Sequence, residues 1–141
     1  MQPTRRVAAL AAGAMMSSLL LGTACSDDST SPGIAQVAGS YRATTFTATS
    51  ALGTENVLQT GGSLTAQFAT SGAVTGHVTI PSEAVDEDFV GTWKIENGEV
   101  EIEEVPSDIF VEDLSFRIAG TTLVADDTFD GVRVQVVLTK Q

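Results

Sequence analysis

The chain has a single cysteine and a single histidine in 141 residues. One cysteine excludes an intrachain disulfide and a cysteine-based metal cluster. One histidine, His77, excludes a multi-histidine zinc site. Bases are scarce, with seven Lys and Arg against 18 Asp and Glu, giving a formal charge of −11 and a pI near 4.2. That balance excludes a nucleic-acid-binding footprint and argues against electrostatic docking on anionic lipid. No serine sits in a Gly-x-Ser-x-Gly elbow, and no glycine-rich loop runs into Lys-Ser or Lys-Thr. The chain therefore reads as a non-enzyme that implies no cofactor. It also lacks a long apolar run: the longest, Val7 to Leu21, is about 15 residues, where a spanning helix needs roughly 20. What is present is globular composition, 43% hydrophobic and 18% charged, in a length suited to one domain.

The first residues read as an address. Arg5 and Arg6 precede the apolar run, which ends in Leu20-Leu21-Gly22-Thr23-Ala24-Cys25. A basic start, a short apolar core and small residues before a cleavage point make a signal peptide. Small residues leading to the chain's only cysteine resemble the lipobox of bacterial lipoproteins. The resemblance implies lipid attachment at Cys25, cleavage before it, and a protein held to the membrane of a bacterial cell envelope. An ordinary signal peptide cut after Ala24, leaving a free thiol, is the competing reading. The Arg5-Arg6 pair resembles a twin-arginine signal but lacks the residues that complete that motif. Removal of residues 1–24 would leave 117 residues carrying five bases and all 18 acids, a formal charge of −13. Membrane attachment would then come from the lipid rather than from the protein surface.

Residues 25–35 read as a polar tether. Ser26 to Gly33 contains no apolar side chain and so buries nothing. Asp27 and Asp28 read there as solubilising residues. Ser26, directly after the cysteine, resembles an outer-membrane sorting signal of proteobacterial lipoproteins.

From residue 36 to 141 the pattern is all-β. Leu64, Ala66 and Phe68 alternate with polar residues, as do Val74, Gly76, Val78 and Ile80. Val100 and Ile102 alternate with Glu99, Glu101 and Glu103, and Val132, Val134, Val136 and Leu138 form the clearest strand. Tyr41 to Thr49 is rich in Thr and other β-formers, and Phe89 to Ile95 is a strand carrying the only tryptophan. Asn97-Gly98, Gly120 and Asp130-Gly131 mark turns. About eight strands joined by tight hairpins predict an antiparallel up-and-down barrel. An immunoglobulin-like sandwich is the alternative, with crossovers available at Ala51–Gly62 and Pro81–Asp88. Asp86-Glu87-Asp88 is expected in a loop.

Gly39-Ser40-Tyr41 looks like the Gly-x-Trp start of lipocalins, with Tyr for Trp. With Gly61-Gly62-Ser63-Leu64-Thr65 and Val134-Gln135-Val136-Val137-Leu138-Thr139, the body resembles small bacterial lipocalin-like lipoproteins. The resemblance implies that Tyr41 plugs the closed barrel end beneath an arginine from a late strand, Arg133 or, second, Arg117.

Candidate sites are few. Tyr41, Trp93 and Phe116 are candidate ligand-binding residues, while the aromatics as a group are expected mostly in the core. Ala43, Ala66, Gly76 and Ala125 are small residues at inward positions, suited to a packed taper or a small void. Glu99, Glu101 and Glu103 share a strand face that must meet water, and His77 is expected on the outer surface. Asp126, Thr128, Asp130 and Gly131 match positions one, three, five and six of a calcium loop, but Val137 stands where the bidentate Glu belongs, so a hairpin turn is the preferred reading and no metal site is assigned.

Two functions fit. One is a lipid-anchored module holding a small apolar molecule in its barrel. The other is an envelope interaction protein with a filled barrel. An interior void of roughly 300 Å³ or more would favour the first.

Overall fold

The computed structural model describes residues 33–105 and 109–141. Cys25, most of the tether and the signal segment lie outside the described residues. The body is one antiparallel sheet of nine strands. These are β1 (Gly39–Ser50), β2 (Gly53–Asn56), β3 (Ser63–Phe68), β4 (Ala73–Ile80), β5 (Val85–Glu96), β6 (Glu99–Glu103), β7 (Ser115–Ala119), β8 (Thr122–Phe129) and β9 (Val132–Lys140). Strands β3 to β9 pair in chain order, and β1 pairs with both β3 and β9. Eight strands thus close into an up-and-down barrel, and the sheet contains no Greek-key crossover of the kind a sandwich needs. The ninth strand, β2, folds back on the end of β1, with Thr47 opposite Asn56 and Ser50 opposite Gly53.

Two segments differ from the sequence reading. Ala51–Gly62 holds β2 rather than a crossover. Pro81–Glu83 is a single 3₁₀ turn, and Asp86-Glu87-Asp88 is already strand, paired with Thr79, Val78 and His77. Acids are poor intrinsic strand formers. Here the continuous β4 ladder, together with hydrogen bonds from His77 and Thr79 to Asp88 and Asp86, outweighs that preference.

Alternation sets the interior. Leu64, Ala66 and Phe68 of β3, Val74 and Val78 of β4, Val100 and Ile102 of β6, and Val136 and Leu138 of β9 are buried. In β1 the register slips between Ala43 and Thr45. This irregularity changes the parity, so Tyr41 and Ala43 point inward before it and Phe46 after it. The barrel is filled by large side chains, among them Phe46, Phe68, Phe89, Phe116, Leu114 and Leu123. Ile109, Val111 and Leu114, from the connection between β6 and β7, complete this core. The anticipated small residues Ala43, Ala66 and Ala125 are buried in it.

One barrel end is closed. A helical turn, α1 (Ile34–Val37), covers it. The Tyr41 hydroxyl donates to the Val37 carbonyl at 2.7 Å. The ring of Phe68 packs edge-on against both Tyr41 and Trp93, with centroids 5.4 Å apart in each pair. Trp93 Nε1 donates to the Ala69 carbonyl at 2.9 Å.

Candidate functional site at the barrel mouth

The opposite end of the barrel is built from the end of β1, β2, the end of β4, the 3₁₀ turn Pro81–Glu83 and the β8–β9 hairpin. It leaves a recess of about 270 Å³. Its walls are apolar: Phe46, Ala48, Val57, Ile80, Phe110, Phe129, Val132 and Val134. Phe46 rises from β1, where the register slip turns it inward. Phe110 begins a second 3₁₀ turn, Phe110–Asp113, and its ring lies 5.8 Å from that of Phe46 at an interplanar angle of 37°. Val57 is buried after β2 and its amide donates to the Phe46 carbonyl at 2.9 Å.

Three carboxylates line the same recess: Glu55, Glu83 and Asp130. Glu55 is held in place from two sides. Its Oε1 accepts from Thr60 Oγ1 at 3.2 Å and its Oε2 from Ser82 Oγ at 3.0 Å. These bonds join the turn after β2 to the turn after β4 and fix one acid at the entrance.

Two larger recesses, about 440 and 650 Å³, run over the outward faces of successive strands. One includes Glu99, Arg117, Asp126 and Gln135, the other Arg42, Thr65, His77 and Asp88. The first is lined mainly by polar groups, so water competes well there; the second carries as much apolar lining as the mouth, Phe89 and Val90 included, but is the more open to solvent. The mouth is the more enclosed of these two, and its apolar walls meet a few convergent polar groups, the usual form of a small-molecule site. It falls just below the interior void that the sequence reading set as a threshold, because aromatic and branched side chains fill the barrel beneath it.

The residues expected at a ligand site are elsewhere. Tyr41 and Trp93 belong to the closed end, where Trp93 reports packing rather than anything at the mouth. Phe116 is fully buried on β7, opposite Val100 of β6. None of the three lines the mouth recess. The arginine expected over Tyr41 is a second correction. Arg133 stands on the outer face of the barrel, where its Nε and Nη2 donate to Asp126 at 2.7 and 2.5 Å. That bond holds the Asp126 carboxyl below its usual range. Lys140, seven residues further along β9, takes the place beside Tyr41. Its Nζ lies 6.0 Å from the ring centroid and donates to the Gln36 carbonyl at 3.0 Å. The interior parity of β9 explains the exchange: Val132 to Leu138 fill its inward positions, and a late base reaches the closed end only from the last inward position.

Asp126, Thr128 and Asp130 do not converge. Asp126 is engaged by Arg133 and by Gln135 Nε2, the latter at 3.1 Å, while Asp126 to Phe129 continue β8 against β9. Among the described residues no group of three or more His, Cys, Asp or Glu is arranged to hold a metal. The glutamate face of β6 is outward and neutralised in part by Lys94, whose Nζ lies 2.5, 3.4 and 2.8 Å from Glu96, Glu101 and Glu103.

His77 is on the outer face, between two acids of β5. Nδ1 lies 2.7 Å from Asp88 Oδ1 and Nε2 lies 2.9 Å from Asp86 Oδ1. The hydrogen bond to Asp88, and then the one to Asp86, raise the imidazole pKa above its ordinary value. The carboxylates sit on opposite ring nitrogens, so they fix the ring rather than open a shared ligand position.

The sequence reading missed the mouth because its walls come from positions 46, 48, 57, 80, 110, 129, 132 and 134. The available signal was apolar residues in turn-rich segments, Val57 and Phe110 above all, which no strand alternation requires.

No protein-family model matches the chain, and no curated protein matches it. Among solved structures it is similar to a lipocalin-like protein from Bacteroides uniformis, at 15% identity and a TM-score of 0.46, over 75% of this chain and 99% of that one. The barrel assignment rests on the strand pairing itself.

Proposed function

We propose that the protein is a membrane-tethered binding module of the bacterial cell envelope, whose barrel mouth holds a small, largely apolar molecule. The apolar recess at the mouth, with eight apolar side chains around about 270 Å³, carries this reading. The membrane part rests on the lipobox-like run ending at Cys25. The fold gives the two parts a consistent arrangement. The chain enters the barrel at the closed end, through α1. A tether from residue 26 to 33 reaches at most about 30 Å. Lipid on Cys25 would therefore hold the closed end nearer the membrane and leave the mouth free to meet a ligand in solution.

The filled interior favours a second reading, an interaction or structural lipoprotein that presents only its surface. The two separate on one measurement. Methyl-detected NMR of the purified protein, titrated with small alcohols and hydrocarbons of about six to nine heavy atoms, should shift Val57, Ile80, Val132 and Val134 saturably. Absence of any saturable shift at the mouth would leave the surface reading.

A further inference from the structure

Resting on the mouth as a binding site, we infer that its ligand carries a positive charge: a small ammonium compound with an apolar body. The recess contains Glu55, Glu83 and Asp130 and no base. The five bases of residues 33–141 are placed elsewhere. Lys140 and Arg42 belong to the closed half, with Tyr41 and its neighbours. Lys94 is bound to its glutamates, Arg117 lies on the outer face opposite Glu99, and Arg133 is paired to Asp126. A fatty acid would bring a carboxylate against three others on a chain of formal charge −11, and like charges at an entrance repel.

The two chemistries of the recess are spatially ordered. Phe46 and Val134 are buried at its base, while Glu83 and Asp130 are exposed and Glu55 is half-buried at its edge. An amphiphile therefore enters with its apolar end first and leaves its head at the acids. Glu55 is the fixed element of that rim, because Thr60 and Ser82 hold its carboxylate and still leave acceptor capacity on both oxygens. Phe110 and Phe129, half-buried in the wall, present ring surface near which a cation is favoured. Size narrows the class further. A volume of about 270 Å³ is roughly nine water volumes at about 30 Å³ each. That suits a molecule such as octylamine and excludes a long acyl chain.

The test compares octylamine, octanol and octanoate, equal in chain length and different in head charge. Binding to the purified protein is followed by calorimetry and by methyl shifts of Val57, Ile80, Val132 and Val134. The amine should bind about tenfold more tightly than the alcohol at low salt, each rim acid adding a modest, partly screened attraction, and the octanoate should bind more weakly than both. Raising the salt should shrink the preference. Glu83→Gln, on an exposed turn, and Glu55→Gln, which keeps a hydrogen-bond acceptor, should each reduce amine affinity two- to threefold and octanol affinity by less, so that the amine-to-alcohol ratio falls. Equal affinity for the three ligands overturns the cation preference and leaves the mouth as a binding site. An amine preference with shifts outside the mouth, insensitive to both variants, also overturns it, since it reports only the acidic surface. No saturable binding by any of the three removes the binding reading itself.

Discussion

Gly76 on β4 and Phe89 on β5 face each other in register, and the Phe89 ring occupies the space that a side chain at position 76 would need. A Cβ there would meet the ring and the Thr65 carbonyl. Glycine is thus what lets a phenylalanine fill this part of the barrel. Gly76→Ala should destabilise the protein by about 1–3 kcal/mol, the usual range for overpacking, read as a lower urea midpoint at an unchanged slope. Adding Phe89→Leu should recover part of the loss, because the ring is one of the two obstacles and the backbone carbonyl remains.

The closed end makes a smaller prediction. Tyr41→Phe removes the hydroxyl that satisfies the Val37 carbonyl and should cost about 1 kcal/mol. In the wild type, burial pushes the phenol pKa above its ordinary 10.0. An ultraviolet titration should show Tyr41 ionising later than free tyrosine.

At the β5–β6 hairpin, Asn97 has φ of 53° and Gly98 has φ of 81°. Both are in the left-handed region that a two-residue hairpin of this hand requires. Gly98 has open space around it, so the constraint is conformational. Gly98→Val should cost more than about 1 kcal/mol through its disfavoured positive φ, measured as a fall in denaturation midpoint. Asn97→Gly should be close to neutral.

His77 supplies a pH dependence. Its folded pKa is raised, chiefly by Asp88 and then by Asp86. The protonated imidazole therefore adds stability that is complete below the unfolded value near 6.5 and fades as pH rises through the raised folded value. The ring is largely exposed and its partners more so, which keeps the effect small. NMR titration should place the His77 pKa above 6.5, and Asp88→Asn should lower it more than Asp86→Asn does.

Lipid attachment is tested at Cys25 alone. Metabolic labelling with an alkyne fatty acid should tag the wild type and leave Cys25→Ser unlabelled. Equal labelling of both would assign the lipid elsewhere, and no labelling of either would favour the plain signal peptide cut after Ala24.

Much of the barrel was legible along the chain, because strand alternation has period two and tight turns need particular residues. Val132 to Leu138, Leu64 to Phe68 and the Asn97-Gly98 turn each carry their own instruction, and the inward faces of β3, β6 and β9 follow from it. So does the expectation that Ala43, Ala66 and Gly76 are small for interior reasons. Alternation names a face but not the neighbour across it. That Arg133 meets Asp126 while Lys140 meets Tyr41 depends on the β8–β9 register and on where β9 meets β1, which are pairings between distant residues. The register slip in β1, which sends Phe46 inward, carries no local mark among the threonines around it. Nor does the mouth, whose walls are assembled from residues between positions 46 and 134. Closure of the sheet brings them together, since a wall shared by several strands exists only once every strand has found its partner.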